Sequence, residues 1–169
     1  MVNIYETLKK SNDDATGRTH LQVVSAMKMK KTKFEVILTP LGFEKQPVTA
    51  DESREWIVGM LTALSFRNGS NFCHDDIRWR NIVFVPTEAA TGYWMLIDMD
   101  ESFSPNTRKI DWNRQLMGET LTYQHDFYQL GKLLADLDFE LPMELENLQN
   151  ALVASVGTKT TAQDLFELL

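Results

Sequence analysis

The chain has 169 residues, 43% of them hydrophobic and 24% charged, with a formal net charge of −7. That length builds one domain with a real core and not two large ones, and the acid excess argues against nucleic acid as a partner, which wants a positive field. A single cysteine excludes an internal disulfide and a multi-cysteine zinc site, no apolar run reaches membrane-spanning length, and MVNIYETLKK has no apolar signal core, so a soluble intracellular protein (cytoplasm or nucleus) is expected.

In chain order, residues 2–10 carry Ile4 and Leu8 among mixed charges and predict a short helix. SNDDATG reads as a loop closed by Gly17. Residues 20–27 and 34–39 are apolar and β-branched, and predict an antiparallel hairpin. The run Lys28-Met-Lys-Lys-Thr-Lys33 between them reads as its solvated tip.

Thr49-Ala-Asp-Glu52 fits a capping box opening the next helix. Behind it Trp56, Ile57, Met60, Leu61 and Leu64 recur at helical spacing until Asn68-Gly69. Cys73 reads as a small buried hydrophobe and not as a nucleophile.

The stretch CHDDIRWRNIVFVPTEAATGYWMLIDMD organises the chain. Asp76 and Asn81 are five residues apart, a step that lets a short loop turn a carboxylate and an amide toward one point. Two strands, Ile82–Pro86 and 93–98 with Gly92 in the link, would bring Asn81 beside Asp98. An Asn and an Asp so held can supply oxygen ligands to Mg²⁺, and Asp76 can accept a hydroxyl proton. A base awaiting substrate is expected to be solvated.

Residues 101–121 lack periodicity, and about 20 such residues are long for a plain connection. Phe127, Leu130, Leu134 and Leu137 then form a helical stripe. Leu141, Leu145, Leu148 and Leu152 form another, and Ala162, Leu165, Phe166 and Leu169 a last one opened by Thr161 with Asp164. Together these elements predict a single helix-rich α+β domain.

HDDIRWRNIVF resembles the catalytic loop of protein kinases, usually H-R-D-L-x-x-x-x-N, and LIDMDES resembles their metal-binding D-F-G segment. The wording D-I-R-W-x-N followed by W-x-L-I-D-x-D is most similar to kinase-like domains of fungi and of oomycete crinkler-type effectors. The resemblance implies ATP-dependent phosphoryl transfer to protein Ser/Thr, with ATP and Mg²⁺ as cofactors and a protein substrate or partner. It implies a kinase-like fold over residues 1–169, mainly the helical C-lobe (43–169), with an N-lobe remnant and hinge (1–42) whose hairpin matches the fourth and fifth strands of the family's N-lobe sheet.

Residue by residue, the resemblance makes Asp76 the base, puts Arg78 where a Lys neutralises the transferring phosphate, and makes Asn81 and Asp98 the metal ligands. It makes Leu38, Thr39, Pro40 and Leu41 the adenine-binding hinge, leaves His74 structural, and gives Asp126 of HDFYQLGKLL the task of bonding backbone amides of the catalytic loop. Asp75 replaces the Arg that reads activation-segment phosphorylation, and Met99 and Asp100 replace the Phe and Gly of D-F-G. No G-x-G-x-x-G loop and no V-A-I-K lysine occur, so Glu6, at the place of the lysine's helix partner, has nothing to pair with. Two other readings share the motifs: a pseudokinase effector that binds without turnover, and a small-molecule kinase of the aminoglycoside/choline type. HDFYQLGKLL separates the protein-kinase-like readings from the latter, which usually places a D-L-A-type helix there.

Overall fold

The computed structural model describes residues 2–87 and 91–169. Its elements run α1 (Val2–Asp13), β1 (Val23–Lys30), β2 (Lys33–Thr39), α2 (Ala50–Gly69), β3 (Ile82–Pro86), β4 (Gly92–Leu96), α3 (Tyr123–Ala135), α4 (Met143–Val153) and α5 (Ala162–Phe166). Among the described residues this is an α+β arrangement of five α-helices and two antiparallel two-stranded sheets. No helix among them is long and apolar enough to cross a membrane.

Helix α1 runs three residues past the predicted end at residue 10. Ser, Asn and Asp usually favour loops because their side chains compete for the backbone. Here the Asn12 amide finds partners of its own, the carbonyls of Leu8 and Gln22, both at 3.0 Å. Ile4, Tyr5 and Leu8 are buried in the main core, and α1 lies against β1.

The hairpin pairs Val23 with Thr39 through to Lys30 with Lys33, with an irregularity between Val24 and Ala26. Most of the lysine run is therefore strand and not tip. Glu35 neutralises two of its members, Lys30 at 2.9 Å and Lys33 at 3.1 Å. The first strand starts later than residue 20 because His20 sits at φ 56, outside the β region, and Leu21 bridges to Leu96 instead.

Thr49 caps α2 by accepting the Glu52 amide at 3.2 Å. The Glu52 carboxylate reaches past the cap residue to the Val48 amide at 2.9 Å, so the box is only half made. Trp56, Ile57, Met60, Leu61 and Leu64 are all buried and meet Phe127, Leu130 and Leu134 of α3 and Leu145, Leu148 and Leu152 of α4 in one core. Gly131 lets α3 and α4 close up: a Cβ there would lie 2.8 Å from Leu152 Cβ. Helix α4 starts at Met143 because Pro142 caps it, and α5, opened by Thr161 and Asp164, stops at Phe166, short of Leu169.

Strands β3 and β4 pair from Ile82 with Leu96 to Pro86 with Gly92. Gly92 thus belongs to the strand and not the link, and the strand ends before Ile97 and Asp98. The expected turn falls partly on residues 88–90, outside the described residues. Residues 101–121 stay irregular but carry a small core of their own, in which Ile110 and Leu121 pack with Cys73.

Candidate functional site

The loop bearing Asp76 is hung from the first turns of α3. Asp126, fully buried, accepts the His74 amide on Oδ2 at 2.7 Å and the Asp75 amide on Oδ1 at 2.9 Å. Gln129, one turn on, accepts the Ile77 amide at 2.8 Å and donates to the Asp75 carbonyl at 3.3 Å. Burial pushes the Asp126 carboxyl up to about 7, while the two amide bonds and the Arg67 guanidinium pull it down. Fixing three amides in this way lets Asp75 hold the left-handed backbone at φ 65, a conformation that non-glycine residues keep only when the surroundings impose it.

His74 joins this loop to the strand ahead of Asp98. Its Nδ1 receives the Asp76 amide at 3.3 Å, so the ring proton sits on Nε2 and is donated to the Ile97 carbonyl at 2.9 Å. That is a neutral imidazole. Burial drives its pKa down to about 4, with the Ile97 bond opposing and the Arg67 and Arg78 charges reinforcing. Both ring nitrogens of His74 are thus engaged by backbone groups.

Asp76 and Asn81 are in direct contact. Asn81 Nδ2 donates to Asp76 Oδ2 at 2.7 Å and to the Asp76 carbonyl at 2.9 Å, so its Oδ1 takes no part in gripping Asp76. The Asn81 carbonyl receives the Ile97 amide at 2.9 Å, so Asp98 follows one residue beyond the Asn81 pairing position. Its side chain is exposed, its φ is 62, and its amide points at Gln22 Oε1 at 3.4 Å. The structure thus puts Asp76 and Asn81 in contact and sets the Asp98 backbone one residue past the Asn81–Ile97 bond. Asn81 and Asp98 offer the hard oxygen donors Mg²⁺ prefers; since no group of three or more His, Cys, Asp or Glu ligands occurs among the described residues, such an ion would rely on water and phosphate oxygens for the rest.

One expectation is corrected here. Asp76 is not solvated: it is 7% exposed, ion-paired with Arg78 and 3.6 Å from Arg80. The Asn81 amide and two guanidiniums cover the carboxylate. Arg78 itself is half exposed and, with Asp76, lines a cavity of about 290 Å³ bounded by Trp112, Tyr128 and Lys132.

The hinge candidates fall at the end of β2 and in the chain just after it. Leu38 and Thr39 belong to β2, where they pair with Val24 and Val23, Pro40 follows a cis bond, and Leu41 is 87% exposed. No hydrogen bond among the described residues joins these four to residues 73–81 or to Asp98.

Three features escaped the sequence reading. Asp75, whose side chain is 1% exposed, accepts the Trp112 indole N–H at 2.8 Å and lies 3.1 Å from the Arg108 guanidinium. Burial pushes its pKa up, and Trp112 and Arg108 oppose the shift. Residues 101–121 have no period that would have announced this pairing. Arg67 is buried, with Nε and Nη2 lacking hydrogen-bond partners among the described residues; burial lowers its pKa to about 10, opposed by the Asp126 charge. A signal existed: with Trp56, Met60 and Ala63, Arg67 continues the buried stripe of α2. Tyr5 donates to Asp100 Oδ1 at 2.6 Å and ties α1 to the residue after Met99, while neighbouring Glu6 is exposed.

No family model matches the chain, and no curated protein matches it in sequence.

Proposed function

We propose that the chain is a protein-kinase-like domain, mainly a helical C-lobe with a hairpin remnant of the N-lobe, whose chemistry is ATP-dependent phosphoryl transfer to a protein Ser/Thr hydroxyl. What carries the reading is the hanging of residues 74–77 from Asp126 and Gln129 while Asn81 grips Asp76. A helix, a loop and a strand start are tied together there by polar groups, Asp126, Asp76 and Asn81 among them buried, in addition to the apolar packing of Ile77 and Ile82 with Phe127 and Leu130.

In this reading Asp76 orients the acceptor hydroxyl and takes its proton as the oxygen bonds to the γ-phosphorus and the bond to the leaving ADP breaks. Arg78 offsets charge on the transferring group, which requires it to leave Asp76. Bound Mg²⁺ would neutralise the phosphate oxygens, with Asn81 Oδ1 and the Asp98 carboxylate as its protein ligands. The 169 residues include no Gly-rich phosphate loop and no partner lysine, so they bind Mg-ATP weakly on their own.

One observation favours a second reading, a pseudokinase or effector module without turnover: Asp76 is already ion-paired with Arg78 and flanked by Arg80. Following the melting temperature through a Mg-ATP titration, with radiolabelled transfer to a generic protein substrate, separates the two. Stabilisation at millimolar nucleotide with transfer that vanishes in Asp76→Ala supports the enzyme. Stabilisation without transfer supports the pseudokinase.

A further inference from the structure

A cavity of about 520 Å³, larger than the one beside Asp76, opens where residues 18–20, α2 and the β3–β4 sheet meet; Arg18, His20, Lys45, Glu52, Phe84 and Tyr93 line it. Among the described residues it shares no lining residue with the Asp76 cavity. Two local departures from ordinary backbone chemistry build it. His20 holds φ 56, a left-handed conformation that a non-glycine residue adopts only under constraint. Opposite it, α2 carries a glycine in mid-helix, where glycine is unfavourable. A Cβ at Gly59 would lie 2.6 Å from His20 Nδ1, so the helix makes room for the imidazole.

The polar atoms of this cavity are unequally satisfied. His20 Nδ1 meets the Trp94 carbonyl at 2.7 Å, which places the ring proton on Nδ1 and leaves Nε2 an acceptor with no hydrogen-bond partner among the described residues. Burial, the leading cause, holds this imidazole below its usual pKa and so keeps it neutral. Lys45 is neutralised by Glu52 at 2.7 Å, its ammonium 4.4 Å above the Phe84 ring. Arg18 is different. Its guanidinium lies 3.7 Å over the Tyr93 ring and has no carboxylate partner among the described residues. Glu55 also borders the cavity, but at its exposed rim, where solvent screens its charge.

We propose that this cavity binds a small planar acid, an aromatic or heteroaromatic carboxylate. Its acid group sits on Arg18, its ring packs among Phe84, Tyr93 and the Lys45 stem, and an O–H or N–H of the ligand donates to His20 Nε2. The volume suits a ligand of one or two rings, within the range of small-molecule sites. An arginine fork recognises a carboxylate through paired N–H donors, and an aromatic wall excludes the water that would compete. This inference does not rest on the phosphoryl-transfer reading.

The test uses the full chain and three probes: 4-hydroxybenzoate, benzoate and the neutral 4-hydroxybenzyl alcohol, each titrated to millimolar concentration and followed by NMR at the His20 ring and at residues 18–20 and 92–94. Saturable shifts at those positions are expected, with 4-hydroxybenzoate binding about tenfold more tightly than the alcohol, since a charge-assisted hydrogen bond is roughly twice as strong as a neutral one, and more tightly than benzoate, which cannot donate to His20. Arg18 is exposed, so Arg18→Gln should fold with an unchanged melting temperature and lose the preference for the acid, whereas Arg18→Lys should retain part of it. Absence of saturable shifts, equal binding of acid and alcohol, or a preference that persists in Arg18→Gln would overturn the proposal.

Discussion

Asp75 and Arg108 form an ion pair at 3.1 Å that ties the loop before Asp76 to the irregular segment 101–121. The carboxylate is buried, the guanidinium about a quarter exposed, and Trp112 donates to the same carboxylate. Glu101 and Asp111 contact Arg108 from the solvent side at 3.4 and 3.1 Å. Where the resemblance would put an Arg that grips a phosphorylated segment, this chain carries an acid that grips an arginine.

Arg108→Ala should therefore destabilise the protein by about 1–3 kcal/mol, because it leaves a buried carboxylate short of its counter-charge; a fully buried pair would lose more. The loss should be concentrated in the segment. Limited proteolysis should cut within residues 101–121 of the variant while α2 and α3 stay protected. Unchanged cleavage would mean that the small core around Cys73, Ile110 and Leu121 holds the segment without the pair.

Asp126→Ala and Asp76→Ala should differ in size. Losing Asp126 strands two buried amides, each costing about 1–3 kcal/mol, for a melting-temperature drop on the order of 4–24 °C in a chain of this length. Losing Asp76 should cost about 1 kcal/mol, since Asn81 keeps its bond to the Asp76 carbonyl and the two arginines are released to water. Two melting curves decide. Equal drops would show that Asp126 does not suspend the loop.

Acid should act through His74. Its folded pKa is depressed to about 4, so between the ordinary histidine value and pH 4 the unfolded chain binds a proton that the folded chain refuses. The contribution is fully present above about pH 6.5 and is lost as pH falls toward 4. Protonation would also remove the Nδ1 acceptor used by the Asp76 amide. Urea midpoints for wild type and His74→Asn should converge as the pH is lowered through that window. A gap that stays constant would contradict the neutral assignment. Asp126 works the other way: its raised pKa gives stability that is present at low pH and lost as pH rises toward 7, so only the difference from the variant isolates His74.

Much of this was legible because it is periodic or capped. The stripe from Trp56 to Leu64, the helix carrying Phe127 and Leu130, and the strands flanking residues 88–90 follow from spacing alone. The Asp76–Asn81 contact followed from a five-residue step. Burial of Asp76 did not, because it arises from charges on Arg78 and Arg80 that look solvent-bound in a sequence. The left-handed backbone of His20 and Asp98 was equally silent, for neither is a glycine. Arg108 meets Asp75 across a segment without period, and only packing of the whole chain fixes that register.

The proposed phosphoryl transfer requires Asn81 and Asp98 to share a metal–nucleotide corner with Asp76. Mn²⁺ with a non-hydrolysable ATP analogue, added at millimolar concentration to isotopically labelled protein, broadens resonances near the bound ion. The account predicts selective loss of the signals around Asn81, Ile97 and Asp98, weaker effects at Asp76, and abolition of the pattern in Asp98→Asn together with Asn81→Ala. Broadening spread over the acidic surface, or unchanged in that double variant, would contradict it.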